Sequence, residues 1–409
     1  LGVTGAAGLT SGGAMEVSEA TVGSVAAKAG TTLRVKKLTS TGEATLTSKD
    51  EATLDEVTAG TLAAESTAGS VNAGTLTAKT GNASVTAKTD VKIDALKAEA
   101  GGATIEATDG ALGVTTLNAK SLTAKAGTTL SAKTLDVKEH AALTSGGAME
   151  VSEATVGSVA AKAGTTLHVK KLTSTGEATL TSKDEATLDE VTAGTLAAES
   201  TTGSVNAGTF TAKTGDAEVK AKTDATIGTL KAEAGNVTIE ATEGKLDVTT
   251  LNAKEHAELT SGGDMVLTEA HANTLVANAG GKLTATTLGV TGAAGLTSGG
   301  AMEVSEATVG TLAAESTAGS VKAGTLTTKT GEASVTAKTD VTIDTLKAEA
   351  GSATVKATEG KLDVTTLNAK EHAALTSGGA MEVNEVTAGT LAAESTAGSV
   401  NAGTLTATT

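Results

Sequence analysis

Apolar and polar positions along the chain follow one short rule, apolar-x-apolar-x-x-apolar, and the rule returns at a near-constant interval. It begins at Met15, Leu33, Ala52, Val71, Val91, Leu112, Leu130, Met149, Leu167, Ala186 and Val205. It continues at Ala225, Leu246, Met265, Leu283, Met302, Val321, Val341, Leu362, Met381 and Val400. Successive starts lie 18 to 21 residues apart and average about 19, giving about 21 copies without a gap. No charged or hydroxyl side chain enters the three apolar columns, and the third column takes Phe210, the single aromatic residue, in one copy. A spacing of two marks a strand with one buried face, so these columns are expected to point inward. A second apolar-x-small pair follows in each repeat: Val25 with Ala27, Leu46 with Ser48, Leu62 with Ala64, Val85 with Ala87, Ile105 with Ala107. Between the pairs stand turn formers such as Gly12-Gly13, Ala29-Gly30, Lys49-Asp50, Thr89-Asp90 and Asp109-Gly110.

A helical repeat of this length would show apolar residues three and four apart, and Thr and Val would serve it poorly. Period-two strands in a 19-residue repeat instead predict an all-β fold, a parallel β-helix (β-solenoid) of about 21 coils of about 19 residues, each coil pairing with its neighbours. Equivalent positions would stack at about 4.8 Å, which predicts a rod on the order of 100 Å long. The absence of Pro fits, since Pro cannot donate to a ladder. So does the near-absence of aromatic rings, which would overfill a narrow core where equal positions stack.

Residues 1–409 are therefore expected to form a single uncapped repeat array. Within it, 9–81 and 143–215 are near-identical blocks that differ only by Arg34 to His168, Ala68 to Thr202 and Leu76 to Phe210. Copying whole coils preserves every neighbour's register. Variation in coil length, as around Val91 and Leu112, must be absorbed at corners.

Composition narrows the chemistry. The chain has 409 residues, 47 acidic against 31 basic side chains, a formal charge of −16, and no Cys, Trp or Tyr. Disulfides, thiol nucleophiles and Cys-based metal sites are excluded. Arg34 is the only arginine, so no concentrated basic surface for nucleic acid or anionic membrane is expected. No apolar run nears the roughly 20 residues of a membrane span. The chain starts at Leu1 without Met or a signal pattern, and it reads as a soluble internal fragment of something longer.

The densest basic cluster is Arg34, Lys36 and Lys37, echoed by His168, Lys170 and Lys171. Two readings are open. Arg34 and Lys36 point outward on one strand, as a site for a sulfated polysaccharide would require. Alternatively, Glu16 and Glu19 one coil below, with Asp55 and Glu56 one coil above, neutralise the cluster in a cross-strand charge ladder. At mildly acidic pH the second patch would strengthen as His168 gains a proton. His140, His256 and His372 recur in Lys-Glu-His 116 residues apart, six coils, so they cannot converge on a metal and read as solvated corners. Neither the Gly12 nor the Gly262 pair begins a calcium-binding nonapeptide. Outward Thr at Thr75, Thr116, Thr134, Thr209 and Thr325 raises ice binding, but Glu19, Lys37, Glu56 and Ala95 interrupt that column. Convergent acids and bases with aromatic sugar platforms are not seen, so no enzyme, cofactor or metal is expected.

Stretches such as Leu143-Thr-Ser-Gly-Gly-Ala-Met149, Leu96-Lys-Ala-Glu-Ala-Gly101 and Val364-Thr-Thr-Leu-Asn-Ala-Lys370 resemble the filamentous haemagglutinin family of two-partner-secreted bacterial exoproteins, over essentially the whole chain. The resemblance implies a right-handed β-helix, exported through an outer-membrane secretion transporter and placed at the surface of a Gram-negative bacterium. It also implies host-cell attachment, with heparin-like glycans among the ligands. The family's secretion module and an Arg-Gly-Asp tripeptide are missing from these residues. The expected role is a rod-like shaft that presents adhesive regions. The alternatives are a lateral glycan-binding module or the stalk of a toxin-delivery exoprotein.

Overall fold

A computed structural model describes residues 2–407. Every regular element among them is a β-strand and none is a helix. The chain falls into two compact units, Leu1–Thr201 and Thr202–Thr409. Each position read above as a coil start, from Met15 to Val400, is the first residue of a strand.

In the first unit a coil is typically an eight-residue strand followed by one of five or six residues. Leu33–Ser40 precedes Glu43–Ser48, Ala52–Ala59 precedes Thr61–Ser66, and Val71–Ala78 precedes Ala83–Ala87. Long strands pair in parallel with long strands, placing Leu33, Ala52, Val71 and Val91 in one column and Leu38, Val57, Leu76 and Leu96 in another. Short strands stack likewise: Ala44 on Leu62, Ala83 and Ala103. The inward side chains are 0–2 % exposed at Leu33, Leu38, Val57 and Leu76. Full burial of a side chain of that size contributes about 1.5–3 kcal/mol, which is how a chain nearly free of aromatics holds together.

Burial along Leu33–Ser40 explains the shape of a coil. Leu33 and Val35 are buried, Lys36 and Lys37 both face out, then Leu38 and Ser40 are buried. The alternation changes parity, and the ladder skips Lys36 and its counterpart Asp55. A straight strand alternates strictly, so the chain bends there. The long strand lines two sides of the coil and the short strand lines the third.

One inward column goes beyond those read from the sequence, and a second was read only in some coils, at Ser48, Ala87 and Ala107. The eighth position of the long strand, Ser40, Ala59, Ala78, Ala98, is buried, as is the end of the short strand, Ser48, Ser66, Ala87, Ala107. The apolar-x-small pairs were drawn from different columns, since Val25 pairs with Ala44, and Ala27 with Leu46. The short strand therefore has three inward columns. Ala29 ends the strand Met15–Ala29 and is buried, so the turn begins at Gly30. Three strands, Met15–Ala29, Leu130–Ser145 and Met149–Ala163, run through the corner without a break. The extra length there is absorbed as a register shift between Val137 and His140.

Buried serines tie the corner that follows the short strand. Ser66 Oγ donates to the Asp50 carbonyl at 2.5 Å and accepts from the Gly69 amide at 3.2 Å. Gly69 is required there because a β-carbon would be driven into the same Asp50 carbonyl. Ser48 and Ser182, equivalent residues of the two blocks, are fully buried with hydroxyls that find no partner.

The second unit repeats the design. One column runs through Val205, Ala225, Leu246, Met265 and Leu283. Phe210 is fully buried and pairs with Leu230, so the one aromatic ring occupies the inward column predicted for it. Leu283–Ser298 and Met302–Ser316 are this unit's uninterrupted strands. With roughly ten coils, each unit is a stack on the order of 50 Å long.

Candidate functional site: a basic patch laddered between carboxylates

Arg34, Lys36 and Lys37 lie on the long strand Leu33–Ser40, pointing out because their neighbours Leu33, Val35 and Leu38 fill inward columns. Parallel register sets Arg34 between Glu16 and Thr53, and Lys37 between Glu19 and Glu56. Lys36 lies at the bend and reaches down to Glu16, Nζ to Oε1 at 2.9 Å. Arg34 reaches up to Asp55 at 4.0 Å. The hydrogen bond from Lys36, with its charge, holds the Glu16 carboxyl below the ordinary carboxylate range, and Arg34 adds to the effect.

The copy has the same construction. Lys170 lies 3.2 Å from Glu150, Lys171 lies 3.7 Å from Glu190, and His168 Nε2 lies 3.6 Å from Asp189. All these side chains are about half exposed. Pairs so exposed contribute little to stability singly. Their electrostatic effect is to bring carboxylates of the coils below and above to ion-pair distance of five of the six basic groups, cancelling much of the field a polyanion would meet. The structure therefore brings the six predicted residues together in two clusters, each interleaved with acids.

The five histidines occupy separate sites. His140 Nδ1 lies 2.9 Å from Ser158 Oγ, while His256 and His372 lie 2.7 Å from Thr274 and Thr390 hydroxyls one coil on. His271 Nε2 meets Glu269 at 2.9 Å. Among the described residues no three His, Asp or Glu side chains gather as they would around a metal.

Sequence reasoning missed two corner grooves of the second unit. One, of about 600 Å³, is lined by residues including Lys231, Glu233, Asn252, Lys254 and His271. The other, of about 560 Å³, has Lys347, Glu349, Asn368 and Lys370 at corresponding places 116 residues later. The 116-residue recurrence of Lys-Glu-His was the available signal. Within the first groove Lys231 pairs with Glu233 at 2.9 Å and holds that carboxyl low, so its charge too is internally matched.

Fold and surface together define a parallel β-solenoid whose two densest basic patches are interleaved with carboxylates. No protein-family model, curated protein or solved structure matches the chain.

Proposed function

We propose that the chain is a rod-like structural shaft of a secreted bacterial surface adhesin, presenting adhesive regions for host-cell attachment. The observation that carries this reading is the register. Within each unit every long strand pairs with its equivalents one coil away, so whole coils can be added or removed while the inward columns stay matched. A spacer needs length that can be changed without redesign. The pairing within the two patches supports the same reading, because Glu16, Asp55, Glu150 and Glu190 meet the basic groups a glycan would use.

Two measurements test it. Deleting residues 9–142 joins Gly8 to Leu143, which begins the copied block, and removes seven coils. The product should stay soluble and β-rich, with a contour shorter by about 34 Å. Deleting the nine residues 52–60 should turn inward columns out and cause precipitation. If the two deletions behaved alike, the coil-spacer reading would fall. On a heparin column, wild type and a variant with Lys36, Lys37, Lys170 and Lys171 changed to Gln should elute together. Earlier elution of the variant would instead assign lateral glycan binding to these patches.

A further inference from the structure

One coil of the first unit puts small side chains where its neighbours put large ones. Ala154 lies in register between Leu135 on the coil below and Leu172 on the coil above, and Ala161 lies likewise between Leu143 and Leu180. Both alanines are buried. A hollow of about 10 Å³ remains beside them, walled only by apolar side chains, among them Leu135, Leu143, Ala154, Ala161, Leu172 and Leu180. A water there would find no hydrogen-bond partner, so the space stays dry and the atoms around it forfeit their contacts on that side.

The ladder keeps the hollow from closing. Met149–Ala163 is bonded to Leu130–Ser145 on one side and to Leu167–Ser174 and Glu177–Ser182 on the other. Strands so paired stay about 4.8 Å apart, and the backbone cannot move in to replace the missing carbon.

Two further features weaken the same coil. The ladder beneath it skips Lys138, Glu139 and Gly157, between the Val137 and His140 pairings. Gly157 stands inside the strand, where a β-carbon would strike the Glu139 carbonyl, and an interior glycine adds no side chain to the packing. In a stack whose coils hold only to their neighbours, stability is a sum over interfaces, and opening begins where those terms are smallest.

We propose that the coil beginning at Met149 is a built-in weak joint, where the first unit yields by local opening while the coils on either side stay folded. The joint depends on the core alone, so it holds whether or not the chain serves as a shaft.

The second unit contains a graded control. Met302–Ser316 begins with the same nine residues as Met149–Ala163, buries Ala307 and Ala314, and has a register shift beneath it between Val290 and Ala293. It carries Leu312 where the first unit has Val159, a residue on the wall of the hollow.

The test is amide hydrogen exchange in the full chain, corrected for intrinsic rates. Amides of Met149–Ala163 should exchange at least about tenfold faster than those of Ala186–Ala193, with Met302–Ser316 between them. Val159→Leu, a side chain the sister strand already accommodates, should slow exchange in Met149–Ala163 to the level of Met302–Ser316 and leave Ala186–Ala193 unchanged. Ala154→Val, which fills the hollow from another wall, should slow it as well. Equal protection of the three strands in the wild type would overturn the proposal. So would exchange in Met149–Ala163 that neither substitution slows, since opening would then not arise from the hollow.

Discussion

The two basic patches of the first unit differ by one residue, Arg34 against His168, in otherwise identical surroundings. Lys36 and Lys170 both reach down to a glutamate, at 2.9 and 3.2 Å, while Arg34 and His168 both reach up to an aspartate, at 4.0 and 3.6 Å. Replacing a permanent cation by one charged only when protonated leaves the partners in place. The neighbouring coils, more than the patch's own residues, therefore determine what this surface presents.

The strongest way to break the equivalence is in the core beneath it. Leu38→Asp and Leu172→Asp bury a carboxylate in the same column, and each should destabilise the surrounding coils by at least about 4 kcal/mol. The two losses, read from urea denaturation, should agree within about 0.5 kcal/mol. A mild effect at one copy alone would show that identical coils are not energetically identical.

A smaller contrast comes from the buried serines. Ser48→Ala and Ser182→Ala remove hydroxyls with no partner and should be neutral or stabilising by up to about 1 kcal/mol, whereas Ser66→Ala should cost about 1 kcal/mol by leaving the Gly69 amide short of its acceptor. Thermal denaturation of the three variants checks the ordering. A loss at Ser48 as large as that at Ser66 would mean the Ser48 hydroxyl does find a partner.

The smallest effect concerns pH. Because the folded Glu16 carboxyl is held low by Lys36, its contribution is present above its unfolded pKa and is lost as pH falls through the lower folded value. In Lys36→Gln, titration of Glu16 followed by carbon NMR should move up toward the ordinary carboxylate range. No movement would show that the 2.9 Å contact is not maintained in solution.

Coil number, strand starts and three inward columns were legible because Leu, Val, Ile and Met recur there and polar residues never do. The column through Ser40 was not, and the one through Ser48 was caught only in some coils, because Ala and Ser occupy inner and outer positions alike and give little alternation to read. Alignment of the short strand failed for the same reason, Val25 and Leu46 seeming equivalent when Ala44 is Val25's true neighbour. At the patch, adjacency to Glu16 and Asp55 followed from coil spacing. Which base reaches which acid did not, because the bend at Lys36 aims its side chain across the register. The unbroken strands at Leu130–Ser145 and Met149–Ala163 were also hidden, since a corner without a glycine-rich break has no compositional mark.

The ladder register has a kinetic consequence. All-β proteins usually fold slowly because their strands must find partners far along the chain. Here Leu33 bonds beside Ala52, and Ala52 beside Val71, each 19 residues on in a chain of 409. Relative contact order is then about 0.05, below the range typical of helical bundles. A polypeptide made wholly of strands can thus form its pairings through short loop closures, one after another, at a speed that does not fall as more coils are appended.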